Sequence, residues 1–304
     1  MTPVTTRSTG GVLAPVTTPF APASGDLDLG AFRRNIARLI EAGLSGVLVA
    51  GSTGEAPLLD EAEERRLVAT ARGVVPGDRW LLAGTGAEST RQTIARSRSA
   101  AAEGADAVLV RPPSYFAAAH TPASLADHYA AVADASPVPV LVYNIPKYTH
   151  LPLPPSLLHQ LSGHPNVIGA KDSSGDLQNL AAYREAAPRW AMFVGSGSLL
   201  LPALELGCVG GIVAVACYAA ALAVEVFTAF RVGDREQARS LQQRLQPLDK
   251  EIVGKLGPAG IKAAMDLVGL EGGPVRPPLA PLAPADRERM ATLLAGERLA
   301  VAAR

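Results

Sequence analysis

The chain has 304 residues, of which 48% are hydrophobic and 18% are charged, so it can bury a sizeable core and is not a disordered protein. Its 28 basic and 28 acidic side chains give a formal net charge of zero without long blocks of one sign, which argues against a nucleic-acid-binding surface. The two cysteines, Cys208 and Cys217, have no histidine partner at ligand spacing, so we expect no disulfide framework, no metal site and a reducing compartment.

Two segments bear on localisation. Residues 1–10 are rich in threonine and lack a long apolar core, so they do not read as a secretory signal. Residues 208–230 are nearly all apolar and resemble a membrane span, but Gly210, Tyr218 and Glu225 interrupt them. A buried strand that runs into an apolar helix explains this segment better. We therefore expect a cytoplasmic protein with neither a membrane nor a nucleic acid as a partner.

Short apolar runs alternate with longer amphipathic ones along the chain. The predicted strands are residues 11–16, 45–50, 80–85, 107–111, 138–143, 167–171, 191–195 and 210–215. The predicted helices are residues 28–43, 60–74, 89–103, 124–135, 155–162, 177–187, 198–207 and 218–232. Several helices carry start signals, such as Asp60 with Glu63 three residues later.

Eight strand–helix pairs in succession predict an α/β fold, a (β/α)8 TIM barrel. An open, doubly wound sheet is the second possibility, but the first turn lacks the GxGxxG fingerprint. We predict a flexible N-terminus over residues 1–10, the barrel over residues 11–232 and a C-terminal helical extension over residues 233–304. The extension contains predicted helices at residues 234–254, 258–268 and 284–296, and we expect it to pack on the barrel.

Lys171 ends the sixth predicted strand, the apolar run Val167-Ile168-Gly169-Ala170-Lys171. A lysine at the carboxyl end of a buried strand lies in low-dielectric surroundings, which disfavour the ammonium form and leave more free amine to attack a carbonyl. This is the chemistry of a Schiff-base enzyme. The alternative is an exposed lysine in a strand-to-helix loop.

Three other strand ends carry polar residues at the same predicted face of the barrel. The second strand leads into Gly51-Ser52-Thr53-Gly54-Glu55, whose hydroxyls and backbone N–H groups suit an anion. The fifth ends at Tyr143, and the seventh leads into Gly195-Ser196-Gly197-Ser198. Each feature has a plain structural explanation as a turn, a core tyrosine or a helix cap, but together around one lysine they indicate a site.

These motifs, with Tyr143-Asn144-Ile145-Pro146 and Gly169-Ala170-Lys171-Asp172-Ser173-Ser174-Gly175-Asp176, resemble the dihydrodipicolinate synthase / N-acetylneuraminate lyase family of pyruvate-dependent class I aldolases. The resemblance covers nearly the whole chain, from about residue 11 to residue 294. It implies that Lys171 forms an imine with pyruvate or another 2-oxo acid. No dissociable cofactor is implied, because the lysine supplies the electron sink.

The same resemblance assigns roles to other residues. Tyr143 would act as the general acid/base, and Thr53 would relay its protons. Ser52 and Thr53 would hold the carboxylate of the 2-oxo acid, and Gly195 and Val213 match positions that line the pocket. A second tyrosine commonly reaches in from a neighbouring subunit, so a homo-oligomer, a dimer or a tetramer, is expected.

The matching loop for that second tyrosine contains Ser114 and Tyr115. Counting from the proline places Ser114 at the tyrosine position, whereas a one-residue insertion places Tyr115 there. We favour Tyr115.

The substrate is less well specified by these motifs. Family synthases of lysine biosynthesis usually carry an arginine two residues after the proline of the YNIP motif, and this chain has Tyr148 there. Lys147 lacks the bidentate fork of a guanidinium. Residues 257–266, 272–279 and 164–169 resemble the 4-hydroxy-2-oxoglutarate aldolase branch. The leading hypothesis is a lyase that cleaves a short 4-hydroxy-2-oxo acid to pyruvate and an aldehyde such as glyoxylate.

Three alternatives stay open. One is 4-hydroxy-tetrahydrodipicolinate synthase, which joins pyruvate and aspartate semialdehyde. Another is an aldolase or dehydratase for a 2-keto-3-deoxy sugar acid, which a polyol-binding pocket around Tyr148, His150 and Ser173 would favour. The third is a family member without catalysis, against which the intact set of Lys171, Tyr143 and Thr53 argues.

Overall fold

The computed structural model describes residues 10–299. Eight parallel strands form a closed barrel in chain order, and β1 pairs with β8 to complete it. The strands are β1 Gly11–Pro15, β2 Gly46–Val49, β3 Trp80–Gly84, β4 Ala107–Val110, β5 Val140–Asn144, β6 Val167–Asp172, β7 Ala191–Val194 and β8 Gly210–Ile212. The predicted TIM barrel is thereby confirmed, and the open sheet is excluded.

Helices connect the strands around the outside of the barrel. They are α1 Leu29–Glu41, α2 Glu61–Arg72, α3 Thr90–Ala102, α4 Pro122–Ala135, α5 Pro146–Thr149, α6 Pro155–Leu161, α7 Leu177–Ala186, α8 Leu200–Glu205 and α9 Ala220–Arg231. Sequence reasoning did not predict the short helix α5. It also began the helix before β8 at Ser198, whereas a 3-10 turn, Gly197–Leu199, comes first.

Local sequence fixes several helix starts. The Asp60 side chain accepts a hydrogen bond from the Glu63 N–H, and the Glu63 side chain accepts one from the Asp60 N–H, so the predicted capping box forms. Thr121 and Ser124 form a second capping box at α4. Such caps satisfy backbone groups that have no partner within the helix, and each contributes about 1 kcal/mol.

The core has two layers because strands in a parallel barrel are buried on both faces. One layer fills the barrel and consists of Leu13, Leu48, Leu82, Ala107, Leu109, Leu141, Tyr143, Ile145, Phe193 and Ile212. The other lies between the strands and the surrounding helices. Each fully buried leucine contributes about 2 kcal/mol by leaving water. Tyr143 is therefore an interior residue, one position before the end of its strand.

After α9 the chain continues through α10 Arg235–Leu248, a π-helical turn Asp249–Gly254, α11 Lys255–Leu267 and α12 Pro284–Gly296. Helix α10 packs against α9, and α11 contacts the 3-10 turns Ser52–Gly54 and Ala214–Cys217 beside the barrel mouth. The predicted single helix over residues 234–254 is thus two elements, since the backbone widens into the π turn after Leu248.

Residues 1–9 of the predicted flexible N-terminus and residues 300–304 of the predicted extension lie outside the described residues. Residues 208–230 form β8, a 3-10 turn and α9. Between residues 10 and 299, no helix has both the length and the apolar composition that crossing a bilayer requires.

Candidate active site

A cavity of about 350 Å³ opens at the carboxyl ends of the strands. It brings together most of the predicted site residues: Ser52, Thr53, Tyr143, Tyr148, Lys171, Ser173 and Gly195. The wall also contains Lys147, Lys250 and Asp249. With Lys171, the lining therefore has three lysines and one aspartate. This balance of charge suits an anionic ligand such as a 2-oxo acid.

Lys171 and Tyr143 are paired across neighbouring strands. They occupy the same register position of β6 and β5, so their side chains rise from the barrel side by side. The Lys171 Nζ donates to the Tyr143 hydroxyl at 3.2 Å, and the two residues are 4% and 5% exposed. A buried amine beside a phenol is the pair that imine chemistry needs, a nucleophile next to a group that can move its protons.

The strand ends that carry this pair are held by the buried carboxylate of Asp172. Its Oδ1 accepts from the Asn144 side chain at 2.7 Å, and its Oδ2 accepts from the Ser174 hydroxyl at 2.7 Å. Burial raises the pKa of Asp172, although the hydrogen bonds from Ser174 and Asn144 oppose this. Asn144 and Asp172 directly follow Tyr143 and Lys171, so this network fixes the backbone on which the pair stands.

The loop after β2 forms the opposite part of the wall. Ser52 and Thr53 lie in a 3-10 turn, and Glu55 follows in the left-handed conformation with φ of 59°. The Thr18 hydroxyl donates to the Gly54 carbonyl at 2.7 Å and connects this loop to the segment that follows β1. The turn places the half-buried Ser52 and Thr53 on the cavity wall, where a carboxylate could bind.

Residue 195 must be glycine because the segments that follow β6 and β7 lie very close together here. A Cβ at this position would lie 1.8 Å from the Ser173 Oγ. The Gly195 N–H donates to the Asp172 carbonyl at 2.7 Å, so β6 and β7 stay paired up to the cavity. A side chain at residue 195 would force Ser173 out of the cavity wall.

Val213 and His150 do not reach the cavity. Val213 is fully buried in the outer core layer, and its neighbour Ala214 lines the wall instead. Side chains along an extended chain alternate between faces, so the prediction was displaced by one residue. His150 is exposed, with φ of 52°, and is not among the lining residues.

Tyr115 also lies outside the cavity, at 80% exposure, beside Phe116 at 69% exposure. Ser114 lines a second cavity of about 480 Å³ that shares Ser52, Tyr143 and Tyr148 with the first. The Glu88 carboxylate accepts from the N–H groups of Ser114 and Tyr115, both at 2.8 Å. These bonds hold the backbone of the loop, and Tyr115 lines neither cavity.

The C-terminal extension contributes part of the wall, which sequence reasoning did not predict. The residues concerned are Asp249, Lys250, Val253, Gly254, Gly257, Pro258 and Ile261. The Lys147 Nζ donates to the Gly254 carbonyl at 3.0 Å, so α5 and the extension meet at the rim. The only signal in the sequence was the resemblance of residues 257–266 to an aldolase branch, which says nothing of position.

Neither cysteine is a candidate nucleophile at neutral pH. Burial raises the pKa of Cys208 to about 11 and that of Cys217 to about 12, so both thiols keep their protons at neutral pH. In residues 10–299, no cluster of three or more histidine, cysteine, aspartate or glutamate side chains is arranged to bind a metal ion.

Comparison with known proteins identifies the family of the chain. Residues 8–296 match the model of the dihydrodipicolinate synthetase family. The chain is 39% identical over 287 residues to an uncharacterized DapA-like lyase of Halobacterium salinarum, an alignment that covers 94% of this chain and 93% of the relative. It is 36% identical to the 4-hydroxy-tetrahydrodipicolinate synthase of Methanopyrus kandleri, with 88% of this chain and 90% of that one aligned.

A solved structure extends the comparison to the fold. YagE, a prophage protein of the dihydrodipicolinic acid synthase family from E. coli K12 crystallised with pyruvate, superimposes with a TM-score of 0.89 at 30% identity. The superposition covers 95% of this chain and 99% of YagE. The chain therefore belongs to the dihydrodipicolinate synthetase family, whose members are class I aldolases and lyases.

Proposed function

We propose that this family lyase cleaves a short 4-hydroxy-2-oxo acid to pyruvate and an aldehyde through an imine on Lys171. The observation that carries the proposal is the buried pair of Lys171 and Tyr143 in a cavity with an excess of positive charge. Glyoxylate is the simplest aldehyde to test. Pyruvate is supported as the shared product by its presence in the YagE crystal. We place the enzyme in the cytoplasm on the evidence of its sequence.

The reaction follows from the groups on the cavity wall. The Lys171 amine adds to the C2 carbonyl, and the resulting carbinolamine loses water to give a protonated imine. Tyr143 moves the protons of these steps from hydrogen-bond distance of the nitrogen. The C4 hydroxyl then loses its proton, the C3–C4 bond breaks, and its electron pair moves through C3 and C2 to the imine nitrogen. The aldehyde leaves, C3 of the enamine takes up a proton, and water releases pyruvate.

The carboxylate of the substrate would bind at Ser52 and Thr53. Their turn presents hydroxyls and backbone N–H groups to the cavity, the donors that a carboxylate prefers. Thr53 would also pass protons between Tyr143 and the Tyr115 hydroxyl of a neighbouring subunit. This arrangement requires a homo-oligomer, either a dimer or a tetramer.

A second candidate is 4-hydroxy-tetrahydrodipicolinate synthase, the name of the relative from Methanopyrus kandleri. Its second substrate, aspartate semialdehyde, carries a carboxylate that an arginine would bind. Tyr148 stands at that position here, and the Lys147 ammonium already donates to the Gly254 carbonyl. We therefore favour retro-aldol cleavage over this synthase activity and over the dehydration of a sugar-derived 2-oxo acid.

Trapping of the imine tests the mechanism. Incubation with pyruvate and borohydride should add one pyruvyl group, and peptide mapping should locate it on Lys171. Lys171→Ala should abolish the adduct, whereas Lys255→Ala, which removes an exposed lysine paired with Glu251, should not. An unmodified wild-type protein that is well folded would refute the aldolase mechanism.

Assays with defined substrates then separate the candidates. Release of pyruvate from 4-hydroxy-2-oxoglutarate supports the leading proposal. Faster turnover of pyruvate with aspartate semialdehyde would replace it by the synthase.

A further inference from the structure

Another large cavity lies at the end of the barrel opposite to Lys171. Its volume is about 490 Å³, and residues near the amino ends of the strands line it, among them Trp80 of β3, Ile168 of β6 and Ala191 of β7. This amino-end cavity shares no lining residue with the two cavities at the carboxyl ends. The amino-terminal face of a TIM barrel serves stability and not catalysis, so a cavity there with the size of a small-molecule site needs its own explanation.

Most of the wall of the amino-end cavity is apolar. Leu82, Leu141 and Phe193 come from the layer that fills the barrel. Both tryptophans of the chain, Trp80 and Trp190, also line it. Such a wall suits the apolar part of a ligand, since aromatic rings and leucine side chains gain free energy when they leave water.

The charge of the wall has one sign. Its charged residues are Arg184 and Arg189, and no aspartate or glutamate between residues 10 and 299 lines it. The partly buried Arg96, by contrast, lies 3.2 Å from the Glu64 carboxylate. Within residues 10–299, neither Arg184 nor Arg189 forms an ion pair. Two guanidinium groups without a counter-charge favour an anion at this wall.

Two buried N–H groups of the same wall also lack an acceptor. They are the Arg184 Nε and the Trp190 Nε1, again among residues 10–299, and Trp190 is only 4% exposed. A Cβ at Gly207 would lie 3.4 Å from the Arg184 Nη2, so the guanidinium packs against the backbone of this residue. Buried donors without acceptors are uncommon, and a carboxylate supplies two acceptor oxygens in the geometry that a guanidinium binds best.

We infer that the amino-end cavity binds an apolar monocarboxylate. Its carboxylate lies at Arg184 and Arg189, and its apolar part lies against Trp80, Trp190 and Phe193. A phosphate or a sugar would leave the apolar wall uncovered, whereas a neutral hydrocarbon would leave both arginines without a counter-charge. An apolar body that carries one carboxylate satisfies both parts of the wall.

3-Phenylpropanoate and 3-phenylpropan-1-ol provide a matched pair of probes, because they differ only by a carboxylate in place of a hydroxymethyl group. Neither has a keto group, so neither can form an imine. Since both tryptophans line this cavity, a titration followed by tryptophan fluorescence reports on its occupation. We expect a saturable change with the acid and about tenfold weaker binding of the alcohol, the usual loss when a hydrogen bond to a charged group is removed.

Arginine variants locate the carboxylate. Arg184→Gln and Arg189→Gln should each weaken binding of the acid about tenfold and leave binding of the alcohol unchanged. Both should fold, because neither arginine has an ion pair to lose within residues 10–299. Arg239→Gln is the matched control, since Arg239 is an exposed residue of α10 that does not line the cavity. It should bind both probes as wild type does.

Each outcome decides the inference. Weaker binding of the acid in either arginine variant, with the alcohol unaffected, supports it. Equal affinities of wild type for the two probes, wild-type affinity for the acid in both folded arginine variants, or no saturable change in the full-length chain would overturn it. Competition between pyruvate and the acid would also overturn it, because the acid would then occupy the cavity of Lys171. None of these readouts requires an imine, so the test stands even if the proposed lyase activity fails.

Discussion

The Lys262 Nζ lies 2.5 Å from the Glu55 Oε1, and the two side chains are 1% and 0% exposed. The other carboxylate oxygen of Glu55 accepts from the Arg276 N–H at 2.8 Å, and the ammonium also donates to the Pro274 carbonyl at 2.6 Å. Burial lowers the pKa of Lys262, and Glu55 opposes this. One buried ion pair thus joins the extension to the loop that carries Thr53.

Breaking this pair from one side should be costly. Glu55→Gln leaves a buried ammonium without its counter-charge, and we expect a loss of about 3–5 kcal/mol in the free energy of unfolding. Lys262→Met should cost a similar amount, and the double variant should cost less than the sum of the two, because no unpaired charge remains. Urea denaturation measures all three. Additive losses would contradict the ion-pair interpretation.

An exposed pair provides the control. Lys255 and Glu251 lie 2.6 Å apart with side chains 65% and 50% exposed. Glu251→Gln should change the free energy of unfolding by less than about 1 kcal/mol.

Sequence reasoning predicted the barrel and the central pair for a physical reason. The predicted apolar strands of six and five residues ended at Tyr143 and Lys171, and parallel strands of a barrel present their carboxyl ends at one face. That rule places residues from distant parts of the chain together without any knowledge of contacts.

The same rule could not place residues that follow the barrel. Asp249 comes into the wall because the extension folds back over the strand ends, and no periodicity in residues 234–254 reports that packing. The prediction named Val213, but the neighbouring Ala214 lines the cavity. Strand β8 ends at Ile212, and a shift of one residue moves a side chain to the other face.

Tyr143→Phe removes the hydroxyl that contacts the Lys171 amine. We expect kcat to fall by about 10²–10⁴-fold, the range for loss of a general acid/base, with adduct formation slowed as well. Tyr129→Phe is the matched control, because the hydroxyl of this buried tyrosine donates to the Val110 carbonyl at 3.2 Å in the outer core layer. It should cost about 1 kcal/mol in stability and little activity. Equal kcat values for the two variants would exclude Tyr143 as the proton carrier.

His128 predicts a dependence of stability on pH. It is 6% exposed, and burial, with a smaller effect of His120, lowers its pKa from 6.5 to about 4. In the unfolded chain His128 is therefore protonated below pH 6.5, whereas in the folded protein it stays neutral down to about pH 4. The contribution of His128 to stability is complete above pH 6.5 and is lost as the pH falls to 4, an effect on the order of 3 kcal/mol.

Glu64 changes stability with pH in the opposite direction to His128. The effect of His128 must therefore be measured as the difference in the free energy of unfolding between wild type and a His128 variant at each pH. Burial raises the pKa of Glu64 from 4.5 to about 7 against the attraction of Arg96, and its contribution to stability declines as the pH rises through that range. We expect His128→Gln to gain stability relative to wild type as the pH falls from 7 to 4. Exposed His159→Gln should follow wild type. Parallel curves for His128→Gln and wild type would refute a buried neutral histidine.

The exposed ring of Tyr115 predicts an active site shared between subunits. Two adjacent aromatic side chains, Tyr115 and Phe116, stand in solvent with their ring centroids 4.9 Å apart, and such a patch suits coverage by a second copy of the chain. Although burial opposes it, the N–H groups of Tyr115 and Ser114 hold the pKa of Glu88 below its usual range, so at neutral pH Glu88 is an ionised acceptor for the backbone of this loop.

Complementation tests this arrangement directly. Under the proposed mechanism, Lys171→Met lacks the nucleophile and Tyr115→Phe lacks the relay hydroxyl, so each alone should have low activity. In a mixed oligomer, the site of a Tyr115→Phe subunit keeps Lys171 and receives Tyr115 from its Lys171→Met neighbour. Co-refolded mixtures should therefore recover activity above the average of the two variants. If activity is lost in Ser114→Ala but not in Tyr115→Phe, the relay belongs to Ser114, and mixtures that show no recovery would indicate that each site is complete within one chain.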